Sequence, residues 1–219
     1  MKKKLVLMVV AGVLAVTAII GGTLAGFSAR TENQAITNVG TKALSVGLRA
    51  GDGNQLAETE ETYTAPKAAP GSKVAVPYNV TNSGEYDIYV RVVVNKYFST
   101  GDGEKIFDGD FDSGLIELGL PDLTENGWIV AAQDSEELVL YYTKPLAPGE
   151  SSTDFLETLG ISTQANNQYA DLKVGFDVKT DAVQVANAAK AMPSEWGVYP
   201  EFVKDADGND TDVIQKIAE

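Results

Sequence analysis

The residues best placed to do chemistry are carboxylates at alternate positions of one short segment. Asp108, Asp110 and Asp112 lie within the sequence DGDFDSG, and oxygen ligands at this spacing suit a hard cation such as calcium. The segment departs from an EF-hand loop, because its glycine falls one place late and the twelfth position is Gly119 rather than glutamate. A solvated acidic loop is the alternative, and we favour it. We therefore predict no metal and no cofactor.

A second acidic group lies near the C-terminus and is a weaker calcium candidate. Its members are Asp205, Asp207, Asn209 and Asp210. Paired carboxylates can also serve a glycosidase, but among 31 Asp and Glu residues some pair lies close by chance. Carboxylates alone therefore do not define a site.

Other side chains that enzymes use are missing from the sequence. The 219 residues include no histidine and no cysteine. This removes zinc sites built from those ligands, Ser-His-Asp and Cys-His systems, and histidine acid-base catalysis. Trp128 and Trp196 can line a carbohydrate or partner surface, although aromatic residues on strands more often belong to the core. We therefore predict that the chain is not an enzyme.

The N-terminus has the layout of a secretory signal peptide. Lysines at positions 2–4 precede an apolar run over residues 5–20 and small residues over 21–26. We predict cleavage after Ala25, so that the mature chain begins at Gly26 and reaches the cell surface or the extracellular matrix. The alternative is a retained transmembrane helix, because residues 5–27 are just long enough to span a bilayer.

Charge limits the partners of the mature chain. Removal of 25 of the 219 residues leaves 194, enough for one core. The three lysines lost with them change the formal net charge from −14 to −17. Such a charge repels phosphate backbones and anionic lipid surfaces. We expect neither nucleic-acid binding nor stable membrane insertion after cleavage.

Alternation of apolar and polar residues marks several strands with one buried face. These runs cover residues 44–48, 74–80, 88–94, 138–142 and 172–178, with turn-forming residues between them. Pro77 indicates a sheet edge or a bulge because it cannot donate to a neighbouring strand. Arg91, on the outward side of the longest run, is expected to pair with a carboxylate.

These runs predict an all-β fold, a jelly-roll-like antiparallel β-sandwich with short helical segments. We assign the sandwich domain to residues 26–200 and predict a helix at 182–195. Residues 201–219 are predicted to form an acidic C-terminal tail, either loose or docked through a last helical turn.

Three segments match a known pattern. Residues 21–28 have the sequence GGTLAGFS, residues 70–92 contain two strands flanked by Pro-Gly and Asn-Ser-Gly turns, and residues 184–197 run from QVANAA to Trp-Gly. In these segments the chain resembles the TasA/camelysin family of exported proteins, whose signal peptides are cut by the signal peptidase SipW.

The resemblance implies a jelly-roll sandwich and a role as a matrix or cell-surface protein, because TasA-like members assemble into biofilm fibres. It also implies a SipW-type signal peptidase as a partner during export. Some camelysin-like relatives have been described as metalloproteases. That activity cannot be transferred here by matching residues, since the sequence has no histidine and no His-Glu-x-x-His motif.

The segment after the predicted cut, residues 26–39, has two interpretations. A frayed terminus is the default for terminal residues. The functional alternative is a strand lent to a neighbouring copy, whose open sheet edge it completes in head-to-tail assembly. The apolar side chains expected to enter that edge are Phe27, Ala29, Ile36 and Val39. Two other functions stay open, namely a monomeric surface adhesin or binding module and, more distantly, a camelysin-like hydrolase.

Overall fold

The computed structural model describes residues 28–35, 42–47, 70–106, 109 and 111–218. Within these residues the strands are β1 (Ser28–Ala35), β2 (Lys42–Val46), β3 (Lys73–Asn82), β4 (Ile88–Ser99), β5 (Lys105–Ile106), β6 (Ile116–Gly119), β7 (Trp128–Gln133), β8 (Glu137–Tyr142), β9 (Leu156–Ile161), β10 (Lys173–Gln184), β11 (Tyr199–Lys204) and β12 (Asp210–Ala218). The α-helix is α1 (Ala188–Trp196), and short 3-10 turns cover Ser113–Leu115, Asn167–Tyr169 and Val185–Asn187.

Two sheets form the sandwich. The first has the order β1-β10-β4-β8-β7, with β5 added to β4, and the second has the order β2-β3-β9-β6. The β2–β3 pair is parallel, and the other pairs within the two sheets are antiparallel. The predicted all-β sandwich is therefore confirmed. Pro77 lies within a register shift between Ala75 and Tyr78, which agrees with the bulge, one of the two alternatives predicted for this position.

The main core lies between the sheets and follows the predicted period of two. Over residues 88–94 of β4 and 174–182 of β10 every second residue is buried, as Val92 and Val178 illustrate. Trp128, Tyr142 and Phe155 pack their rings together at one end of this core. Successive side chains of a strand point to opposite faces of the sheet. The residues between the buried ones, charged residues among them, therefore lie on the outward face.

A second, smaller core lies on the outer face of the first sheet. The helix α1 and the hairpin β11–β12 cover this face, and Met192, Trp196 and Ile214 are buried there against β4 and β8. Residues 201–218 thus contain most of a β-hairpin, whereas the sequence suggested a loose tail or a docked helical turn. The Ile214 N–H donates to the Thr143 carbonyl at 2.8 Å, which ties this hairpin to the end of β8.

The helix is shorter than the sequence predicts. Residues 182–184 belong to β10 because Ala182 and Gln184 pair with Val90 and Ile88 of β4. The helix starts at Ala188, contains Pro193 and ends before Gly197, which has a positive φ of 72°. In the described part of the chain, no helix is long and apolar enough to cross a membrane, and residues 1–25 lie outside that part.

Gly47, directly after β2, lies against the backbone of Ser83 and Gly84. This close approach allows a test of the position of β2. A Cβ on Gly47 would lie 2.1 Å from the Gly84 nitrogen. The Val46 carbonyl accepts a hydrogen bond from the Ser83 N–H at 2.8 Å in the same contact. Gly47→Ala should therefore lower the free energy of unfolding by about 1–3 kcal/mol in urea denaturation.

The matched control is Gly101→Ala, because a Cβ there meets nothing within 4 Å. We expect that change to stay within about 0.5 kcal/mol of the parent. Equal effects at the two glycines would mean that β2 does not approach the Asn82–Gly84 turn as described.

Candidate assembly site

The N-terminal strand completes one edge of the first sheet. β1 runs antiparallel to β10, with Ser28 opposite Val183 and Ala35 opposite Phe176. It also contacts β2 across the sandwich. β1 therefore closes the side of the sandwich between the two sheets. We call residues 176–183 of β10, which pair with it, the acceptor edge.

The acceptor edge belongs to β10, which has the buried face and the pairing of an interior strand. On its other side β10 pairs with β4 along its whole length, from Lys173 opposite Ser99 to Gln184 opposite Ile88. Its inward residues, Phe176, Val178, Thr180 and Ala182, are all fully buried. Without β1, the backbone N–H and C=O groups of this edge would lack strand partners beside an apolar core, a typical setting for strand addition.

A buried ion pair lies on the outward side of β10. The Arg91 Nε and Nη2 atoms donate to Asp181 Oδ2 at 3.0 and 2.5 Å, and the two side chains are 16% and 7% exposed. The Arg91 guanidinium also stacks on the Trp196 ring, with 5.5 Å between Cζ and the ring centroid. This confirms the predicted carboxylate partner of Arg91. It also links α1 to the acceptor edge.

A second charged group lies at the other end of the acceptor edge. Lys105 pairs with Asp177 and lies over the Tyr97 ring, 4.5 Å from its centroid. Burial, and then the Asp177 charge, raise the pKa of Tyr97 to about 12. Because the folded-state pKa is raised, the neutral phenol stabilises the fold fully below pH 10, and this contribution is lost as the pH approaches 12.

The predicted assembly residues fall mostly outside the described part of the chain. Ala29 lies in β1 opposite Ala182. The other predicted positions with a processing or assembly role are not among the described residues. They are Phe27, Ile36 and Val39 for assembly and Ala25 and Gly26 for cleavage. Their roles stay predictions.

The acidic candidates have local structural roles where the structure describes them. Asp112 caps the 3-10 turn by accepting a hydrogen bond from the Gly114 N–H at 2.8 Å, and Asp108 and Asp110 lie outside the described residues. Asp205 holds the β11–β12 turn, and the hydrogen bond from the Asn209 N–H is the first of several that keep its pKa below the ordinary value. Across the described ranges, no three acidic residues are grouped so that they could hold a metal ion.

A polar groove of about 510 Å³ lies between β4, β6 and the β7–β8 turn. Lys96 reaches into it and donates to the Ile116 carbonyl at 3.3 Å, and burial lowers the pKa of its ammonium group. Lys73 at the same groove is paired with Glu117 at 3.2 Å. Both ammonium groups thus have partners in the fold, and the residues described around the groove include no nucleophile-base pair.

The class of protein defined by this structure is an all-β sandwich in which an N-terminal strand, β1, completes the edge of the first sheet. Residues 1–116, just over half of the chain, match the family described as camelysin metallo-endopeptidase. The chain belongs to this family, which is the one that the N-terminal motifs indicated. The motif at residues 184–197 lies beyond the matched range. No curated protein and no solved structure matches the chain.

The family description implies a catalytic metal, but the residues present do not fit one. The chain has no histidine or cysteine to bind zinc. Within the described part of the chain, the candidate carboxylates of Asp112 and Asp205 instead accept backbone hydrogen bonds in turns. We therefore assign no catalytic step to this chain.

The strand register places charged residues of β1 opposite charged residues of the acceptor edge, and the sequence alone does not predict this pairing. Arg30 and Glu32 lie in β1, opposite Asp181 and Lys179 of the acceptor edge. The alternating charges of ARTE and DVKTD are visible in the sequence. Their pairing needs the register of two strands that are about 150 residues apart.

Proposed function

We propose that the chain is an exported structural protein that assembles head to tail into extracellular matrix fibres, each copy donating β1 to the acceptor edge of the next. The observation that carries this proposal is the position of β1, an N-terminal edge strand that follows the predicted cut and completes the first sheet on β10. Family membership and the signal-like N-terminus support export.

A terminal edge strand can be exchanged between identical copies with little loss of contacts. The eight register pairs that β1 makes with its own β10 are equally available to β1 of a second copy. Six residues, 36–41, connect β1 to β2. Exchange therefore creates a link between copies while each copy keeps a complete first sheet.

Such a link is directional, and this favours fibres. Each copy gives a strand at one place and receives one at another, so the contact does not close on itself and growth continues. An uncut chain has its N-terminus held in the membrane by the signal segment. Cleavage after Ala25 would then release the donor, which makes processing by a SipW-type peptidase the trigger for assembly.

Two other functions differ from this one in what they require of β1 and of the acidic residues. In a monomeric adhesin or binding module, β1 stays on its own chain. A hydrolase would need a catalytic set that the sequence does not offer, and absence of enzymatic activity is part of the proposal. A chelator-sensitive peptidase activity of homogeneous protein, abolished by replacing its own carboxylates, would overturn that part.

The natural absence of cysteine allows a direct test of exchange. Ala29 and Ala182 lie opposite each other, and opposed Cα atoms in antiparallel strands are about 4.5–5.5 Å apart, within disulfide range. An Ala29→Cys chain and an Ala182→Cys chain, both starting at Gly26, are mixed under assembling conditions and oxidised. We expect covalent dimers that contain one copy of each, together with fibres in negative-stain microscopy.

The control replaces the second variant with Ala189→Cys, since Ala189 is exposed on α1 and is not one of the β10 residues that pair with β1. This mixture should yield few dimers. If the Ala29 and Ala182 variants also fail to cross-link while the doubly substituted chain closes a disulfide internally, β1 stays on its own chain. The monomeric alternative would then hold.

A further inference from the structure

The outward row of β10 carries alternating charge. Asp177, Lys179 and Asp181 occupy every second position, between the buried residues that face the core. Asp177 pairs with Lys105 of β5 and Asp181 with Arg91 of β4, so both acids are already held by the folded chain. Both carboxylates therefore have defined positions before β1 arrives, and each is shared with a cation of its own chain.

The register of β1 complements this row. Arg30 is opposite Asp181, Glu32 is opposite Lys179, and the neutral Gln34 is opposite Asp177. Opposite charges directly across a strand pair stabilise it, and like charges destabilise it. Two of the three outward positions therefore favour this alignment, and the third is neutral.

Other alignments of the same two strands bring like charges together. A slip by one residue exchanges the two faces of a strand, so slips by two residues are the relevant competitors. A slip of two in one direction places Glu32 opposite Asp181. In the other direction it places Arg30 opposite Lys179 and Glu32 opposite Asp177. In this row, neither competing alignment is free of a like-charge pair.

We infer that this charge row is a recognition code, which fixes the register of β1 on the acceptor edge and selects as donor a second copy of this same chain. The inference rests on the proposed strand exchange, for which it names the partner and the residues that select it. The acceptor residues are Lys179 and Asp181, and the donor residues are Glu32 and Arg30. A donor strand without this order of charges meets repulsion at the edge.

Lys179 is the best position for a test, because its reversal leaves the Arg91–Asp181 and Lys105–Asp177 pairs in place. Three mature chains are compared with the parent: Glu32→Lys, Lys179→Glu and the double exchange. Each single variant puts like charges opposite each other and should raise the critical concentration for fibre growth roughly fivefold. The double exchange restores opposite charges and should return it to the parental value.

Mixing separates recognition between copies from a loss of folding. An equimolar mixture of the Glu32→Lys and Lys179→Glu chains can form complementary contacts between unlike copies, and should assemble better than either chain alone. The parent and the double exchange should instead form separate fibres. Lys190→Glu, the same charge change at an exposed position on α1, should have no such effect. At about 1 M salt, where the Debye length is near 3 Å, the differences should shrink.

The outcomes distinguish this inference from the proposed function. Fibres from all variants at the parental concentration, with parent and double exchange fully mixed, would overturn the charge code and leave strand exchange intact. If no chain forms fibres, strand exchange fails. The charge code is then tested by the rate at which the internal disulfide closes in the Ala29→Cys/Ala182→Cys chain. Adding Lys179→Glu to this chain should slow closure, and adding Glu32→Lys as well should restore the original rate. Equal closure rates would overturn it.

Discussion

A mature chain without residues 26–39 is expected to stay monomeric at concentrations at which the full mature chain forms fibres. It keeps the acceptor edge but has no strand to donate. The eight register pairs of β1 are lost as well, and each cross-strand pair contributes about 0.2–1 kcal/mol. The truncated chain should therefore also unfold at a lower temperature. Negative-stain microscopy and circular dichroism should show no fibres and a largely retained β signal.

A synthetic peptide of residues 26–39 is the matched reagent for this prediction. Added to the truncated chain, it should bind the open edge and raise the unfolding temperature. Added to the full mature chain, it should cap growing ends and slow elongation. A peptide of the same composition in scrambled order is the control. Fibres from the truncated chain that are indistinguishable from the parent's would show that assembly runs through the folded surface instead.

Asp181→Leu is expected to cause a large loss of stability for a single substitution. It leaves the Arg91 guanidinium, only 16% exposed, without its carboxylate beneath Trp196. Removing one partner of a buried ion pair typically costs about 3–5 kcal/mol, because the remaining charge stays desolvated. Urea denaturation followed by tryptophan fluorescence measures this change.

Two comparisons make that result specific. Lys73→Ala breaks the Lys73–Glu117 pair, whose side chains are 54% and 39% exposed, and should cost at most about 1 kcal/mol. The double change Arg91→Met with Asp181→Leu removes both charges and should recover much of the lost stability. If the double variant is as unstable as Asp181→Leu alone, the loss of stability comes mainly from the changed side-chain shape at position 181 and not from the unpaired charge of Arg91.

The sequence predicts the central strands because their signal is local. In β4 and β10 the buried residues recur at every second position, and this periodicity reflects one apolar face. The same strands show the limit of local patterns. The run that predicts a helix from Ala182 is overridden because β10 keeps pairing with β4 as far as Gln184. Long-range pairing outweighs a helical spacing of small apolar residues.

Strands without an apolar face lack the alternation that predicts a strand, and for β1 a donated strand was one of two interpretations. β1 is polar along its length, with the sequence SARTENQA, and exists through its pairing with β10. β11 and β12 are also mostly exposed, with Ile214 as their one fully buried residue among those described. The candidate site lies on such a strand, so the sequence supplies the idea of a donated segment but not its register.

The distance along the chain between β1 and its partner adds a question of timing. Ser28 pairs with Val183, so a chain made from its N-terminus presents β1 long before β10 exists. Closing so large a loop costs entropy, and contacts between residues this far apart form slowly. We therefore expect β1 to be the last strand to join the first sheet. During that interval a neighbour's β1 competes for the same edge, so the rate of internal closure, as well as affinity, determines how much of the protein enters fibres.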